Sequence, residues 1–172
     1  ELAGTLRKSE ERLRGYFDSP LVGAAITSPE KRFIDLNDTL CRMLGYTRDE
    51  FMEVTWERVT HPDDIERCLG YFGGLLSGEI DAKSLDVRLV HKDGHVIYTH
   101  MTVRAVRDRQ GKFECLGTLV EDVTARRDAE EQLAAYRQHL ESLVTERTAE
   151  LTESNTRLRS EIRQRTEAEA AL

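Results

Sequence analysis

The uneven placement of proline and glycine is the feature of this sequence that most constrains its fold. All three prolines and all eleven glycines lie at or before Gly117, so residues 118–172 contain neither. A stretch without these breakers that is rich in Ala, Glu and Arg has little reason to bend or to end a helix. We therefore expect a compact body followed by one long helix.

Composition excludes several classes of protein. The chain has 172 residues and a net charge of −7, which argues against an electrostatic nucleic-acid binder. No apolar run approaches the roughly 20 residues that span a bilayer, and no signal peptide is evident. We therefore expect a cytoplasmic protein without direct membrane contact. The cysteines Cys41, Cys68 and Cys115 have neither CxxC nor zinc spacing, which predicts reduced thiols and no structural metal.

The first part of the body is predicted to contain one helix and a hairpin. Leucines and aromatic residues at helical spacing predict a helix over residues 2–17, and apolar segments predict strands over residues 21–27 and 32–36. Residues 28–31 (SPEK) form the turn between these strands.

Three helices are predicted next. Asn37 or Asp38 can begin a short one, and the capping box of Thr47 with Glu50 opens a second. A longer helix begins at Pro62, where proline suits the first turn, and it ends near residue 78.

Three strands with alternating apolar residues follow, over residues 85–89, 97–103 and 116–120. They are joined by turns at residues 93–94 and 108–111. The order of elements predicts an α+β fold, in which a five-stranded antiparallel sheet carries its helices on one face. An N-terminal helix and the long C-terminal helix flank this domain.

The tail helix carries an apolar seam that changes register. At 1.5 Å per residue, residues 125–172 extend about 70 Å. No segment of the chain could cover such a helix, so we expect it to form a coiled coil with a second copy. A four-residue stutter separates the two registers, while Arg147 and Ser154 lie at or near the seam. These polar residues indicate either a weak coil or one balanced between two registers. The seam residues are Leu133, Tyr136, Leu140, Leu143, Leu151 and Leu158, followed by Ile162 and Leu172.

Five short segments, in this order, resemble a PAS domain, the sensory module of bacterial signalling proteins. The resemblance covers about residues 14–127. The segments are residues 37–46 (NDTLCRMLGY), 61–64 (HPDD), 92–94 (KDG), 108–111 and 122–124 (DVT).

Residues 143–172 resemble the signalling helix of sensor histidine kinases, and residues 6–14 resemble the helix that follows such a linker in chains with several PAS domains. The resemblance implies an N-terminal linker helix over residues 1–15, a PAS domain over residues 16–124 and a coiled-coil signalling helix over residues 125–172.

The resemblance also implies a function. A module of this kind forms a homodimer through its flanking helices and lies beside other PAS or kinase domains. It relays a change caused by ligand or conformation through the tail to an output domain outside this sequence, a histidine kinase or, alternatively, a diguanylate cyclase. Asp122 and Thr124 join the last strand to the tail, where their side chains can cap the helix and transmit the change. A structural spacer that binds no ligand is the other reading.

No residue of the sequence predicts catalysis or metal binding. His139 lies on the tail helix, but His139-Leu140-Glu141 lacks the acidic neighbour and the proline of a phosphoacceptor site. We therefore expect no enzyme activity from this fragment. His61 belongs to the HPDD turn. His91, His95 and His100 lie close in sequence, but no third ligand on the same face is evident, so no metal site is expected.

Haem and flavin are also not expected. Haem-binding relatives supply the axial histidine from the long helix, which here contains none. Flavin-binding relatives carry an NCRFLQ-like segment, which is absent, and present amides where Leu89, Thr99 and Val120 stand. These three side chains cannot hydrogen-bond a flavin edge as amides do. Trp56 is expected to pack between the short helices.

The inward face of the sheet and the long helix could line a pocket. Either this space is a filled core, or it holds a small ligand that is apolar or weakly polar. A redox role for Cys68 or Cys41 would require a lowered pKa, which the sequence does not indicate. The candidate pocket residues are Cys68, Tyr71, Phe72, Leu75, Val87, Leu89, Ile97, Thr99, Met101, Leu116, Thr118 and Val120.

Overall fold

The structure is a computed structural model that describes the backbone of residues 2–170 and the side chains of residues 8 and 10–169. The seam position Leu172 lies outside the described residues. The chain divides into two compact units, the first ending at Ala125 and the second beginning at Arg126. A 3₁₀ helix spans Trp56–Val59. The other elements are α1 (Leu2–Phe17), β1 (Gly23–Thr27), β2 (Phe33–Leu36), α2 (Asp38–Leu44), α3 (Arg48–Met52), α4 (Pro62–Ser77), β3 (Ala82–Val90), β4 (Val96–Arg107), β5 (Phe113–Asp122) and α5 (Thr124–Ala170).

The five strands form one antiparallel sheet in the order β2-β1-β5-β4-β3. The predicted α+β fold class is confirmed, as is the hairpin of the first two strands. The first and last strands of the domain become neighbours, with Gly23 opposite Val120. This pairing brings β5, which leads into α5, to the middle of the sheet.

Asn37 fixes the start of α2 and ties three segments together. Its buried side-chain oxygen accepts hydrogen bonds from the N–H groups of Leu40 and Ala24, both at 2.9 Å. Its amide nitrogen donates to the carbonyl oxygens of Phe17 at 2.8 Å and Val22 at 2.9 Å. Of the two predicted caps, Asn37 is therefore the one used. It also anchors the end of α1 to the domain.

The other helix boundaries follow the predicted signals. Thr47 and Glu50 form the capping box of α3, and Pro62 lies in the first turn of α4. Helices α2 and α4 end at Gly45 and Gly78, which have φ angles of 74° and 84°. Glycine adopts this left-handed conformation without the steric cost that other residues meet.

The apolar seam residues of helix α5 are exposed to solvent in the single chain. The hydroxyls of Thr145, Thr148, Thr152 and Thr156 donate to carbonyl oxygens four residues back, so they are satisfied within the helix. Among residues 2–170, no helix combines the length and apolar character needed to cross a membrane. The exposed seam residues are Leu133, Tyr136, Leu140, Leu143, Leu151, Leu158 and Ile162.

Candidate functional site

A cavity of about 90 Å³ lies between the sheet and the helices of the first unit. A water molecule occupies about 30 Å³ in the liquid, and an engineered cavity of about 150 Å³ binds benzene. The space therefore suits a molecule of a few non-hydrogen atoms.

Most of the predicted pocket residues line this cavity. Two do not: Ile97 is part of the main core cluster, and the buried Thr99 donates its hydroxyl to the carbonyl of Val87 at 2.7 Å. The alternation of the strands identified the inward face but not the part of that face next to which space remains. The predicted residues that line the cavity are Cys68, Tyr71, Phe72, Leu75, Val87, Leu89, Met101, Leu116, Thr118 and Val120.

Sequence reasoning missed the lining residues on β1, β2, α2 and the 3₁₀ segment, and three further residues on β3 and β4. Trp56 is the main example, because its ring lies 5.7 Å from that of Phe72 on α4, so its predicted role between the short helices was incomplete. Its indole N–H is buried and has no hydrogen-bond partner among the described residues. A single 3₁₀ turn has no periodicity that could have placed it. The further lining residues are Ala25, Thr27, Phe33, Leu40, Leu44, Trp56, Val59, Thr60, Lys83, Leu85 and Val103.

The cavity wall contains few polar groups. Lys83 is the charged residue among the lining, and its ammonium lies 4.8 Å from the centre of the Tyr71 ring. An ammonium over an aromatic face is attracted by the ring quadrupole. The hydroxyl of Thr60 already donates to the carbonyl of Trp56 at 2.9 Å. An apolar wall with a few polar groups is typical of small-molecule sites.

An ion pair fixes α4 against β3 at one side of the cavity. Buried Asp64 accepts hydrogen bonds from the backbone N–H of Arg88 at 2.9 Å, from its Nε at 3.0 Å and from its Nη2 at 3.1 Å. These hydrogen bonds from Arg88 hold the pKa of Asp64 below its usual value. The side chain of His61 caps α4, and the backbone N–H of His61 donates to the Arg88 carbonyl at 2.9 Å. The HPDD segment thus sets the position of α4.

The cysteines lack the electrostatic setting of a reactive thiol. Burial raises the pKa of the Cys68, Cys41 and Cys115 thiols. A redox-sensing cysteine needs a lowered pKa, so that thiolate is present near neutral pH. Cys68 therefore contributes to the cavity as an apolar side chain.

The histidines are placed differently from one another. His100 pairs with Asp86, with Nδ1 and Oδ1 2.7 Å apart, and His139 is exposed on α5. Contrary to the prediction, a third possible ligand does lie near His91 and His95, because the turn between them brings the carboxylate of Asp93 to both rings. Sequence reasoning treated the turn only as a connection.

The junction between β5 and α5 is built around Tyr98 on β4. Asp122 accepts a hydrogen bond from the N–H of Thr124 at 2.9 Å, as a helix-capping residue does. The Thr124 hydroxyl bonds to strand β4. It accepts a hydrogen bond from the N–H of Tyr98 at 3.0 Å, while the N–H of Val123 donates to the Tyr98 carbonyl at 2.9 Å.

The sheet order, the cavity between the sheet and the helices, and the helix that follows the last strand together define a PAS-type sensory domain. The family model described as "PAS fold" matches residues 33–120, just over half of the chain. The chain therefore belongs to the PAS family and is a sensory module of signal transduction.

Two curated relatives are whole signalling proteins. The chain is 27% identical over 126 residues to the probable diguanylate cyclase DgcE of Escherichia coli K12, covering 73% of this chain and 11% of that protein. It is 23% identical over 135 residues to the sensor histidine kinase TmoS of Ectopseudomonas mendocina, covering 78% of this chain and 14% of that protein. The chain thus corresponds to a small segment of each.

Solved structures agree on the fold. A PAS domain from Colwellia psychrerythraea has a TM-score of 0.61 at 16% identity, covering 67% of this chain and 97% of that one. The PAS domain of a LuxR-family transcriptional regulator from Burkholderia thailandensis, in complex with ethanol, has a TM-score of 0.54 at 19% identity, with coverages of 64% and 96%.

Proposed function

We propose that this sensory module binds a small, mainly apolar ligand in the cavity and relays the resulting change through α5 to an output domain outside this sequence. One observation carries the proposal: strand β5 lines the cavity and also leads directly into helix α5. Leu116, Thr118 and Val120 line the cavity, and β5 ends at Asp122, two residues beyond Val120. A ligand that shifts this strand must therefore also move the start of α5.

The junction gives this coupling a physical basis. Thr99 and Asp122 are the last opposed residues of the β4–β5 ladder, and Val123 and Thr124 extend it by bonding to Tyr98. Any sliding of β5 along β4 would stretch these hydrogen bonds, which weaken steeply away from their preferred geometry. The start of α5 is therefore sensitive to the position of the strand.

The size and chemistry of the cavity favour short aliphatic alcohols as probes. A volume of about 90 Å³ admits only small molecules, and the ethanol complex of the Burkholderia thailandensis domain supports a ligand of this class.

Ligand binding is tested by titrating the protein with ethanol, 1-propanol and 1-butanol. Two signals are monitored: the methyl NMR chemical shifts and the fluorescence of Trp56, the single tryptophan of the chain. We expect saturable shifts at cavity-lining methyl groups. Cys68→Phe, which fills the cavity, should abolish them. Cys115→Phe is the matched control, because Cys115 is also partly buried but does not line the cavity. Equal responses in both variants, or no saturation in the wild type, would favour the spacer function.

We further propose a parallel homodimer through the flanking helices. The seam of α5 and the side chains of Leu13 and Tyr16 on α1 are exposed in the single chain, and burying such seams drives coiled-coil pairing. Light scattering should give a dimer at tens of micromolar. Leu140→Glu should weaken it, whereas Gln138→Glu, on the opposite side of the helix from the seam, should not. A monomeric wild type would refute the dimer.

The output domain is proposed to be a histidine kinase, with a diguanylate cyclase as the alternative, because relatives of both kinds match the chain. Autophosphorylation and cyclic diguanylate synthesis of the full-length parent protein decide between them. Asp122→Ala and Cys68→Phe should change the output or its regulation, while a spacer would leave both unchanged. A cytoplasmic location remains a prediction of the sequence.

A further inference from the structure

The turn between β3 and β4 gathers two imidazole rings around one carboxylate. Oδ1 of Asp93 lies 3.0 Å from Nδ1 of His91 and 2.6 Å from Nδ1 of His95. The two rings stack with their centres 4.3 Å apart. Backbone hydrogen bonds close the turn, from the N–H of His91 to the His95 carbonyl and from the N–H of Gly94 to the His91 carbonyl, both at 2.9 Å.

We propose that His91, Asp93 and His95 form a binding site for a divalent transition-metal ion of the zinc or copper type. Two imidazole nitrogens and a carboxylate suit these ions, whereas magnesium and calcium prefer all-oxygen sites. The proposal is independent of the ligand cavity and of the proposed output.

The distances are compatible with one shared ion. Zinc–nitrogen and zinc–oxygen bonds are about 2.0–2.2 Å long, so two ligand atoms on a tetrahedral ion are about 3.3 Å apart. All three ligand atoms lie within 4.8 Å of one another. Binding of the ion requires that the His95–Asp93 contact lengthen by a fraction of an ångström and that the two nitrogens approach each other. It also requires a rotation of the stacked rings, whose planes lie only 23° apart, so that both Nδ1 lone pairs point at the ion. Water molecules would complete the coordination.

The proton balance of binding is simple. The Nδ1 of His91 accepts a long hydrogen bond, 3.2 Å, from the N–H of Asp93, so its lone pair carries no proton, and the metal would displace this hydrogen bond. At His95 the metal takes the place of the hydrogen shared between Nδ1 and Asp93. In a neutral ring this proton moves to Nε2, and from an imidazolium it is released to solvent.

Two features prepare the ligands in advance. The backbone N–H of His95 donates to Oδ1 of Asp93 at 3.1 Å, which helps to orient the carboxylate. The ring of His91 packs against Gly45, where an added Cβ would clash with Nε2. The adjacent Lys92 N–H donates to the Leu44 carbonyl at 2.9 Å. A ligand that is held in place before binding loses less conformational freedom when the metal arrives.

The alternative is that the cluster only stabilises the turn. His100 and Asp86 provide a matched control, because they form a comparable histidine–carboxylate contact at 2.7 Å without a second ring. A turn that merely collects hydrogen bonds would bind no more metal than this pair.

Zinc and then copper(II) are titrated calorimetrically into the chain, with the thiols alkylated to exclude cysteine ligands. We expect one ion per chain, with affinity at least about tenfold weaker in His91→Ala and His95→Ala and unchanged in His100→Ala. The copper EPR spectrum should show two nitrogen ligands in the wild type and one in each variant. The urea midpoint of Trp56 fluorescence verifies that the variants are folded. Absence of binding, equal loss in His100→Ala, or retention in the His91→Ala/His95→Ala double variant would overturn the proposal.

Discussion

Replacing Thr124 by valine should loosen the connection between β4 and the start of α5. Valine has nearly the same shape as threonine and a similar helix propensity, so the change removes the hydroxyl and little else. The N–H of Tyr98 then loses the acceptor that lies 3.0 Å away. The bonds from Val123 to the Tyr98 carbonyl and from Thr124 to Asp122 remain, because they use backbone donors.

The expected cost follows from the setting of Tyr98. A neutral hydrogen bond contributes about 0.5–1.5 kcal/mol net, and a buried donor left unpaired costs about 1–3 kcal/mol. Tyr98 and Thr124 are only half-buried, so water can partly replace the lost acceptor. We therefore expect the free energy of unfolding to fall by about 1–1.5 kcal/mol. With a urea slope of about 2 kcal/mol per molar, the midpoint falls by about 0.5–0.75 M.

Urea unfolding followed by Trp56 fluorescence measures this change, because the single tryptophan lies in the sensory unit and does not report on the tail. Thr124→Ser keeps the hydroxyl and should retain most of the stability. Amide exchange at Tyr98 should be faster in the valine variant only. Equal midpoints for the serine and valine variants would show that the hydroxyl does not anchor the junction.

Asn37→Leu should lower the free energy of unfolding by about 3 kcal/mol, because it leaves two backbone N–H groups and two carbonyl groups without their partner; a loss below about 1 kcal/mol in urea unfolding would contradict this. The lowered pKa of Asp64 means that its ionised form stabilises the folded state, a contribution that is complete above about pH 4 and lost as the pH falls further. Asp64→Asn should therefore flatten the decline of the urea midpoint below pH 4, with the exposed Asp49→Asn as the charge-matched control, and an unchanged decline would refute the role of Asp64. The purified protein should be colourless, and a haem Soret band or flavin absorption in the blue would contradict the absence of suitable side chains.

Local signals account for the part of the fold that the sequence predicted. Asn37, the Thr47–Glu50 capping box and Pro62 act within one helical turn, so their consequences can be read from neighbouring residues. The alternation of β4 and β5 likewise defines which side chains face inward. The order of such elements was sufficient for the α+β class. The order of elements was not sufficient to predict which residues line the cavity, because the space near Trp56 depends on how α4 and the 3₁₀ helix pack against the sheet.

The structural details that escaped prediction share a physical cause. The hydroxyl oxygen of Thr124 accepts a hydrogen bond from the N–H of Tyr98, 26 residues away. In a continued β ladder a backbone carbonyl would accept this hydrogen bond. The carbonyl of Val123 is not available for this role, because the residue that precedes a helix directs its carbonyl into the first helical turn. At Asp93 a turn carboxylate contacts two rings at different strand ends. In both places the end of regular structure leaves groups whose partners are set by tertiary geometry. Such ends are therefore where a sensory domain can connect its sheet to a helix or a ligand without altering its core.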